Sequence, residues 1–191
     1  EDDLAACEAA GVDLVFEPKP ELLYPDGYDT FVEVDQLSRL LEGAHRPSHF
    51  RGVTTVVLKL FNIVAPDAAY FGLKDYQQQL LIRRMCRDLD VPVEIVGCPT
   101  VREPDGLAMS SRNRFLSPEE RETALALSRG LREAEGRLLG GETDVAAVRR
   151  DFAAGLESTP GLKLDYATIV DAATLQEVDE PHVEMVAIVA A

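Results

Sequence analysis

Long hydrophobic runs are missing from this 191-residue sequence. No stretch reaches the roughly 18 consecutive apolar residues that a membrane-spanning helix needs, so no membrane partner is expected. Cysteine is scarce. Cys7, Cys86 and Cys98 include no CxxC spacing, and their odd number leaves one over in any disulfide scheme, a usage that fits free thiols in the cytoplasm. Glu1-Asp2-Asp3 is acidic where a secretory signal is basic and then apolar. Base is in short supply too: 19 Lys and Arg face 34 Asp and Glu, for a formal net charge of −15. That acid is spread along the chain and excludes wrapping of RNA or DNA, which depends on Lys and Arg neutralising phosphates. It is compatible with a small anionic substrate in a local basic pocket. Neither a Walker A sequence nor GxGxxG is present. No Cys/His/Asp cluster has metal-ligand spacing, and there is no internal repeat or low-complexity segment.

What is present is an ordinary apolar content of 46%, arranged so that helices and strands alternate through the first half. The pattern predicts a helix over 2–10, a short buried strand over Val12–Phe16, a loop through Pro18, Pro20 and Pro25-Asp26-Gly27, and an extended piece over Thr30–Val34. A short helix over Gln36–Leu41, ending at Gly43, precedes a long buried helix over Val53–Val64. A strand over Ala68–Phe71 then runs into Gly72. A helix over Asp75–Leu89 carries Leu80, Leu81, Met85 and Leu89 on one face, and Val93–Val96 is a further strand. Such alternation argues for an α/β fold built on a Rossmann-like parallel sheet with helices on both sides.

After residue 100 the pattern changes. Residues 102–114 read as a charged polar loop. Ser117-Pro118-Glu119-Glu120 is a capping box with proline at the first helical position, and its helix runs to Leu139. A second helix over 144–157 and strand-like segments at 163–170 and 183–189 complete a smaller α+β domain. The expected organisation is therefore 1–100 for the Rossmann-like part and 101–191 for the smaller domain.

Three segments offer chemistry. Phe71-Gly72-Leu73-Lys74-Asp75-Tyr76-Gln77-Gln78 lies where a parallel strand gives way to a helix, the place where open α/β sheets bind ligands. Gly72 permits close backbone approach, and the helix start offers N–H groups to an anion. Lys74 supplies charge for a phosphate, Asp75 can accept from ribose hydroxyls, and Gln78 can present an amide to a polar substrate. The same residues equally suit a plain helix start, with Asp75 as cap, Lys74 solvated and the glutamines facing water. The second segment, Asp105-Gly106-Leu107-Ala108-Met109-Ser110-Ser111-Arg112-Asn113-Arg114, brings hydroxyls and guanidinium groups that can wrap a triphosphate and stabilise leaving pyrophosphate. It also reads as a linker with an Asp-Gly turn. The third, Arg46-Pro47-Ser48-His49-Phe50-Arg51-Gly52-Val53, can bind a carboxylate or simply close a loop onto the next helix.

Taken together these segments resemble the pantothenate synthetase family of the nucleotidyltransferase superfamily, related in fold to class I aminoacyl-tRNA synthetases. The resemblance rests on Tyr24-Pro25-Asp26-Gly27, Arg46 to Val53, Thr55-Val56-Val57-Leu58-Lys59-Leu60-Phe61, Gly72 to Gln78, Pro99-Thr100-Val101-Arg102-Glu103 and Asp105 to Asn113, in that order. It implies that Gly72, Leu73, Lys74 and Asp75 line an ATP site, with Lys74 on phosphate and Asp75 toward the ribose. It further implies that Gln78 holds pantoate and that Val101 meets the adenine region through its backbone. Met109, Ser110, Ser111 and Arg112 match the family's counterpart of the synthetase KMSKS loop. Lys74, Ser110, Ser111 and Arg112 are the implied catalytic residues. Leu73 stands where many members carry glutamate, a position expected to contribute backbone only.

The implied reaction joins pantoate to β-alanine at the expense of ATP, with Mg²⁺ bridging phosphate oxygens and no assigned metal ligand. A homodimer is implied as well. The family's HxGH-type motif, whose histidines stabilise adenylation, and an upstream pantoate-binding glutamine are not among these residues. The expectation is therefore an N-terminally truncated piece, inactive alone, whose uncovered apolar faces favour instability or self-pairing. Two other readings fit the bare pattern: another adenylate-forming nucleotidyltransferase, and a non-catalytic acidic interaction fragment.

Overall fold

The structure, a computed structural model, describes residues 2–182 and 184–191. It divides into two units, residues 1–31 and residues 32–191. In the first, α1 (Asp2–Ala9) forms as expected, with Asp2 and Asp3 in its first turn, where the helix dipole favours negative charge. The one-turn α2 (Pro20–Leu23) starts on proline, whose missing N–H costs nothing at that position. Between them, Val12–Phe16 does not make the buried strand its apolar run suggests: the segment is irregular and Leu14 is 85% exposed. A strand needs a partner for its N–H and C=O groups, and no described strand pairs with this one.

The second unit opens with the extended Val32–Val34. It joins no sheet; two helix hydroxyls take the place of a strand neighbour. Val32 N–H donates to Thr55 Oγ1 at 2.9 Å, and the Thr54 hydroxyl donates to Val32 O at 2.6 Å. Both threonines are buried. The helix expected over Gln36–Leu41 is a single 3₁₀ turn, Leu37–Arg39. Gly43 does not stop it but lies inside α3 (Glu42–His45), where a Cβ would sit 1.9 Å from the Ser38 carbonyl oxygen. The long helix α4 (His49–Val64) starts four residues earlier than the apolar run. It ends at Ala65, which adopts a left-handed conformation and bonds back to Phe61 O at 2.8 Å just before Pro66.

Strand β1 (Ala68–Gly72), helix α5 (Tyr76–Asp88) and strand β2 (Glu94–Cys98) form a βαβ unit. The two strands pair in parallel from Ala68↔Glu94 to Gly72↔Cys98, which is the parallel sheet the alternation implied. The capping box at Ser117 and Glu120 opens α6 (Pro118–Leu139), and Asp144 caps α7 (Val145–Glu157). Strands β3 (Tyr166–Asp171) and β4 (Met185–Ala190) pair antiparallel. Val183, the first residue of the expected last strand, and Glu1 lie outside the described residues.

Three apolar clusters hold this unit. One joins α6, α7 and β3 through Ala134, Val148, Phe152 and Ile169. Another packs Phe61 of α4 and Ile95 of β2 against Ile82, Met85 and Cys86 of α5. In the third, Leu37, Phe50 and Leu81 meet Val170 and Leu175 of the β3–β4 hairpin. Helix α5 thus buries two faces, which is why Leu81 and Ile82, adjacent in sequence, are both fully buried. Leu89, expected on the apolar face, is 52% exposed at the helix end.

Candidate active site

The residues singled out at the end of β1 form a step between strand and helix. Gly72 is extended, with φ −68° and ψ 132°, and a Cβ added there would meet nothing within 4 Å. The glycine therefore leaves open space above the strand end, into which a ligand can approach the backbone. Leu73–Asp75 makes a 3₁₀ turn, so α5 begins at Tyr76, one residue later than the pattern suggests. Leu73 packs its side chain over Gly97 of β2: a Cβ at Gly97 would lie 3.0 Å from Leu73 Cδ2. Lys74 is exposed, and its Nζ lies 3.3 Å from Asp75 Oδ1. Asp75 makes no side-chain cap to α5, so the plain reading of this aspartate as a helix cap is not what the structure adopts.

The three glutamines that follow divide by helical position. Gln77 and Gln79 are buried, so the plain alternative of glutamines facing water does not hold for Gln77. Gln77 Nε2 donates to Leu37 O and Leu40 O, both at 2.8 Å, and its Oε1 accepts from Glu42 N–H at 3.2 Å. It therefore ties the first turn of α5 to the 3₁₀ turn and α3. Gln78 is half-buried and makes no side-chain hydrogen bond among the described residues, so its amide is available. Replacing Gln77 by alanine removes its bonds to Leu37 O and to Glu42 N–H, while Leu40 O keeps the Gly43 N–H at 2.8 Å. At about 1–3 kcal/mol for a buried polar group left unsatisfied, Gln77→Ala is expected to lower unfolding free energy by about 2–3 kcal/mol. Urea denaturation checks this, and a loss below about 1 kcal/mol contradicts the tether.

Asp75 shares its surroundings with groups from α3, α4 and β3. Burial pushes the His49 imidazole below its usual range, helped by Arg46 and opposed by Glu42 and Asp75. Burial likewise raises the Tyr166 phenol to about 12, reinforced by the carboxylates of Glu42, Asp165 and Asp75. The His45 ring lies 5.9 Å from that of Tyr166. Glu42 and Tyr166 carried no sequence signal, because their neighbourhood depends on β3 folding back beside α3 from more than a hundred residues away.

The second candidate segment is not a loose linker. Met109 N–H donates to Val101 O at 2.9 Å and Glu103 N–H donates to Leu107 O at 2.8 Å, so residues 101–109 fold back as a narrow hairpin. Gly106 turns it with φ +100°, a conformation glycine adopts without steric cost. Ser110 accepts from Arg112 N–H and starts the 3₁₀ turn Ser111–Phe115. Met109, Ser111, Arg112 and Val101 are exposed, and Ser110 is half-buried.

The strand register connects the two segments. Gly72 pairs with Cys98 at the carboxyl ends of β1 and β2. Val101 lies three residues beyond Cys98 and holds Met109. Three residues span at most about 11 Å, and a hydrogen-bonded cross-strand pair adds about 5.5 Å. The Gly72–Gln78 step thus follows the carboxyl end of β1, and the hairpin that carries the Met109–Arg112 arch follows the carboxyl end of β2, its parallel neighbour.

Known proteins resemble this chain in sequence and in fold. The family model described as Pantoate-beta-alanine ligase matches residues 1–191. A pantothenate synthetase of Acetivibrio thermocellus is 53% identical over 180 residues, which are 94% of this chain and 64% of that protein. The pantothenate synthetase of Heliobacterium modesticaldum is 55% identical over 177 residues, 93% of this chain and 63% of the relative. The chain thus spans just under two thirds of the length of these curated relatives. The solved pantothenate synthetase of Thermus thermophilus matches with a TM-score of 0.94 and 48% identity, covering 98% of this chain and 68% of that one. A pantoate-β-alanine ligase of Francisella tularensis, solved with a β,γ-ATP compound and β-alanine, matches at TM-score 0.69 and 34% identity over 87% of this chain and 60% of that one. The chain belongs to the pantoate–β-alanine ligase family.

Proposed function

We propose that these residues serve the ATP-dependent condensation of pantoate with β-alanine. The observation that carries this reading is that the Gly72–Gln78 step follows the carboxyl end of β1 and the hairpin bearing the Met109–Arg112 arch follows that of its parallel neighbour β2. A carboxylate is a poor electrophile, so activation comes first. A pantoate carboxylate oxygen attacks the α-phosphorus of ATP, the bond to the β,γ-phosphate breaks, and pyrophosphate leaves with its charge. The β-alanine amine then attacks the acyl carbon of pantoyl adenylate and loses a proton as AMP departs. The protein's part is positioning and charge stabilisation.

Gly72 and Leu73 contribute backbone to the ATP site, Lys74 a cation to the phosphates, and Asp75 an acceptor to the ribose. Val101 borders the adenine, Gln78 binds pantoate, and Ser110, Ser111 and Arg112 cover the triphosphate. Mg²⁺ enters as part of the MgATP substrate, where phosphate oxygens supply most of its ligands. Among the described residues no group of three or more His, Cys, Asp or Glu side chains is arranged to hold a metal ion. In this reading the nucleotide-binding part ends near residue 100 and the smaller domain follows. The working form is a cytoplasmic homodimer; among the described residues no helix is long and apolar enough to cross a membrane.

Pyrophosphate release tests the proposal. A protein that carries these residues together with the family's HxGH segment is expected to release pyrophosphate only when both ATP and pantoate are supplied. The 191-residue chain, which contains no HxGH, is expected to release almost none. Pantoate-independent release by the longer protein would refute the assignment.

A further inference from the structure

A cluster of charged groups behind the Met109–Arg112 arch has a use that the reading above does not assign. Arg121, in the first turns of α6, points its guanidinium at the base of the 101–109 hairpin. Its Nη2 lies 2.6 Å from Glu103 Oε2 and 2.5 Å from Asp105 Oδ2, and its Nε donates to the same Asp105 oxygen at 2.8 Å. The other oxygen of each carboxylate is engaged too. Glu103 Oε1 accepts from Asn113 Nδ2 at 2.7 Å, and Asp105 Oδ1 accepts from Leu107 N–H at 3.1 Å. Asn113 Nδ2 also reaches Ala108 O at 3.0 Å. Both carboxyls are held below their ordinary range, Glu103 chiefly by Arg121 and Asn113, Asp105 chiefly by the Leu107 N–H and Arg121.

The arch is thus pinned at both feet. Met109 is fixed to Val101 at one end, and Asn113 is fixed through Glu103 to Arg121 at the other. Only Ser110, Ser111 and Arg112 lie between, and their side chains are free of that network. Leu107, 7% exposed, anchors the hairpin below, and a Cβ at Gly106 would lie 2.3 Å from Arg132 Nη2, so the turn sits directly on α6.

We propose that Arg121 is a positioning residue for adenylation, acting through Glu103 and Asn113 to hold Ser110, Ser111 and Arg112 where the phosphates arrive. The proposal rests on the functional reading above. Each of its three side chains is already engaged by protein partners, so none needs to touch a substrate. A loop held in advance loses little conformational freedom when it closes on a ligand, and a displacement of about 1 Å at a reacting centre can cost about 100-fold in rate.

The test compares variants in the protein that carries these residues with the HxGH segment. Arg121→Gln is expected to lower kcat for pyrophosphate release by about 10–100-fold while the KM for pantoate stays within about twofold, and Arg121→Lys is expected to restore part of the loss. Asn113→Ala is expected to lose a similar factor, and the double variant to be no slower than the worse single one, because both act through Glu103. Arg129→Gln removes an exposed ion pair with Glu122 on the same helix and is expected to leave turnover unchanged. In the 191-residue chain, Arg121→Gln is expected to speed hydrogen exchange at the Met109 and Asn113 amides, a readout that needs no activity. Normal kcat in Arg121→Gln beside a crippled Lys74→Ala would overturn this inference alone. Normal kcat in both would overturn the functional reading beneath it. Equal losses in Arg129→Gln and Arg121→Gln, or fully additive losses in the double variant, would reduce the cluster to a general effect of helix charge and also overturn the inference.

Discussion

Lys74→Ala, made in the protein that carries this sequence with the HxGH segment, is expected to lower the rate of pyrophosphate release by about 10²–10³-fold, the cost of removing one preorganised donor from developing charge. The fold does not depend on this side chain. Lys74 sits in a 3₁₀ turn, is exposed, and has Asp75 as its ion-pair partner at 3.3 Å. An exposed pair of that kind contributes at most about 1 kcal/mol, so the melting temperature should hardly move. Pantoate binding should change little, because the lysine is assigned to phosphate. Gln78→Ala sets the contrast: it removes a free, half-buried amide one turn further along and is expected to raise the KM for pantoate more than it lowers kcat. Single-turnover measurement of adenylate formation separates these effects. Turnover in Lys74→Ala within a few-fold of the parent would remove the ATP site from the end of β1.

Leu81→Ala is expected to produce the largest loss of stability from a single truncation. Leu81 is fully buried and packs with Leu37, Phe50, Val170 and Leu175, so its side chain links α5 to α4 and to the β3–β4 hairpin. Truncating a buried leucine costs about 2–5 kcal/mol, depending on how far the site collapses. For a chain of this length each kcal/mol shifts the melting temperature by about 2–4 °C, so a fall of roughly 5–15 °C is expected. Leu89→Ala, just past the end of the same helix and 52% exposed, should cost less than about 1 kcal/mol. Chemical denaturation of both variants tests the cluster; equal losses would mean that Leu81 does not bridge these elements.

Local signals in the chain were good guides where the element depends on local interactions. The capping box at Ser117 and Glu120 is legible because both partners lie within one turn, and it forms as read. The βαβ unit was legible because its strands are short apolar runs flanking a helix with an amphipathic period. Val12–Phe16 misled because an apolar run specifies only a preference for burial, and strand formation needs a partner that no described residue supplies. Gly43 misled for the converse reason. It looked like a helix stop, but its role is contact with the Ser38 carbonyl, which arises only after the chain has folded back. The glutamines after Asp75 look alike in sequence, yet Gln77 is consumed by three backbone groups while Gln78 keeps its amide.

By itself the order of the residues determined the family, the alternation of strand and helix, and the two segments whose chemistry suits a nucleotide, since all three depend on side-chain identity and short-range spacing. Only the tertiary structure decided that the two segments follow the carboxyl ends of parallel neighbours, that Arg121 is joined to Asn113 through Glu103, and that Tyr166 and Glu42 border Asp75. Those facts depend on strand register and on chain segments tens of residues apart coming within a few ångströms, which packing of the core settles and local pattern does not encode.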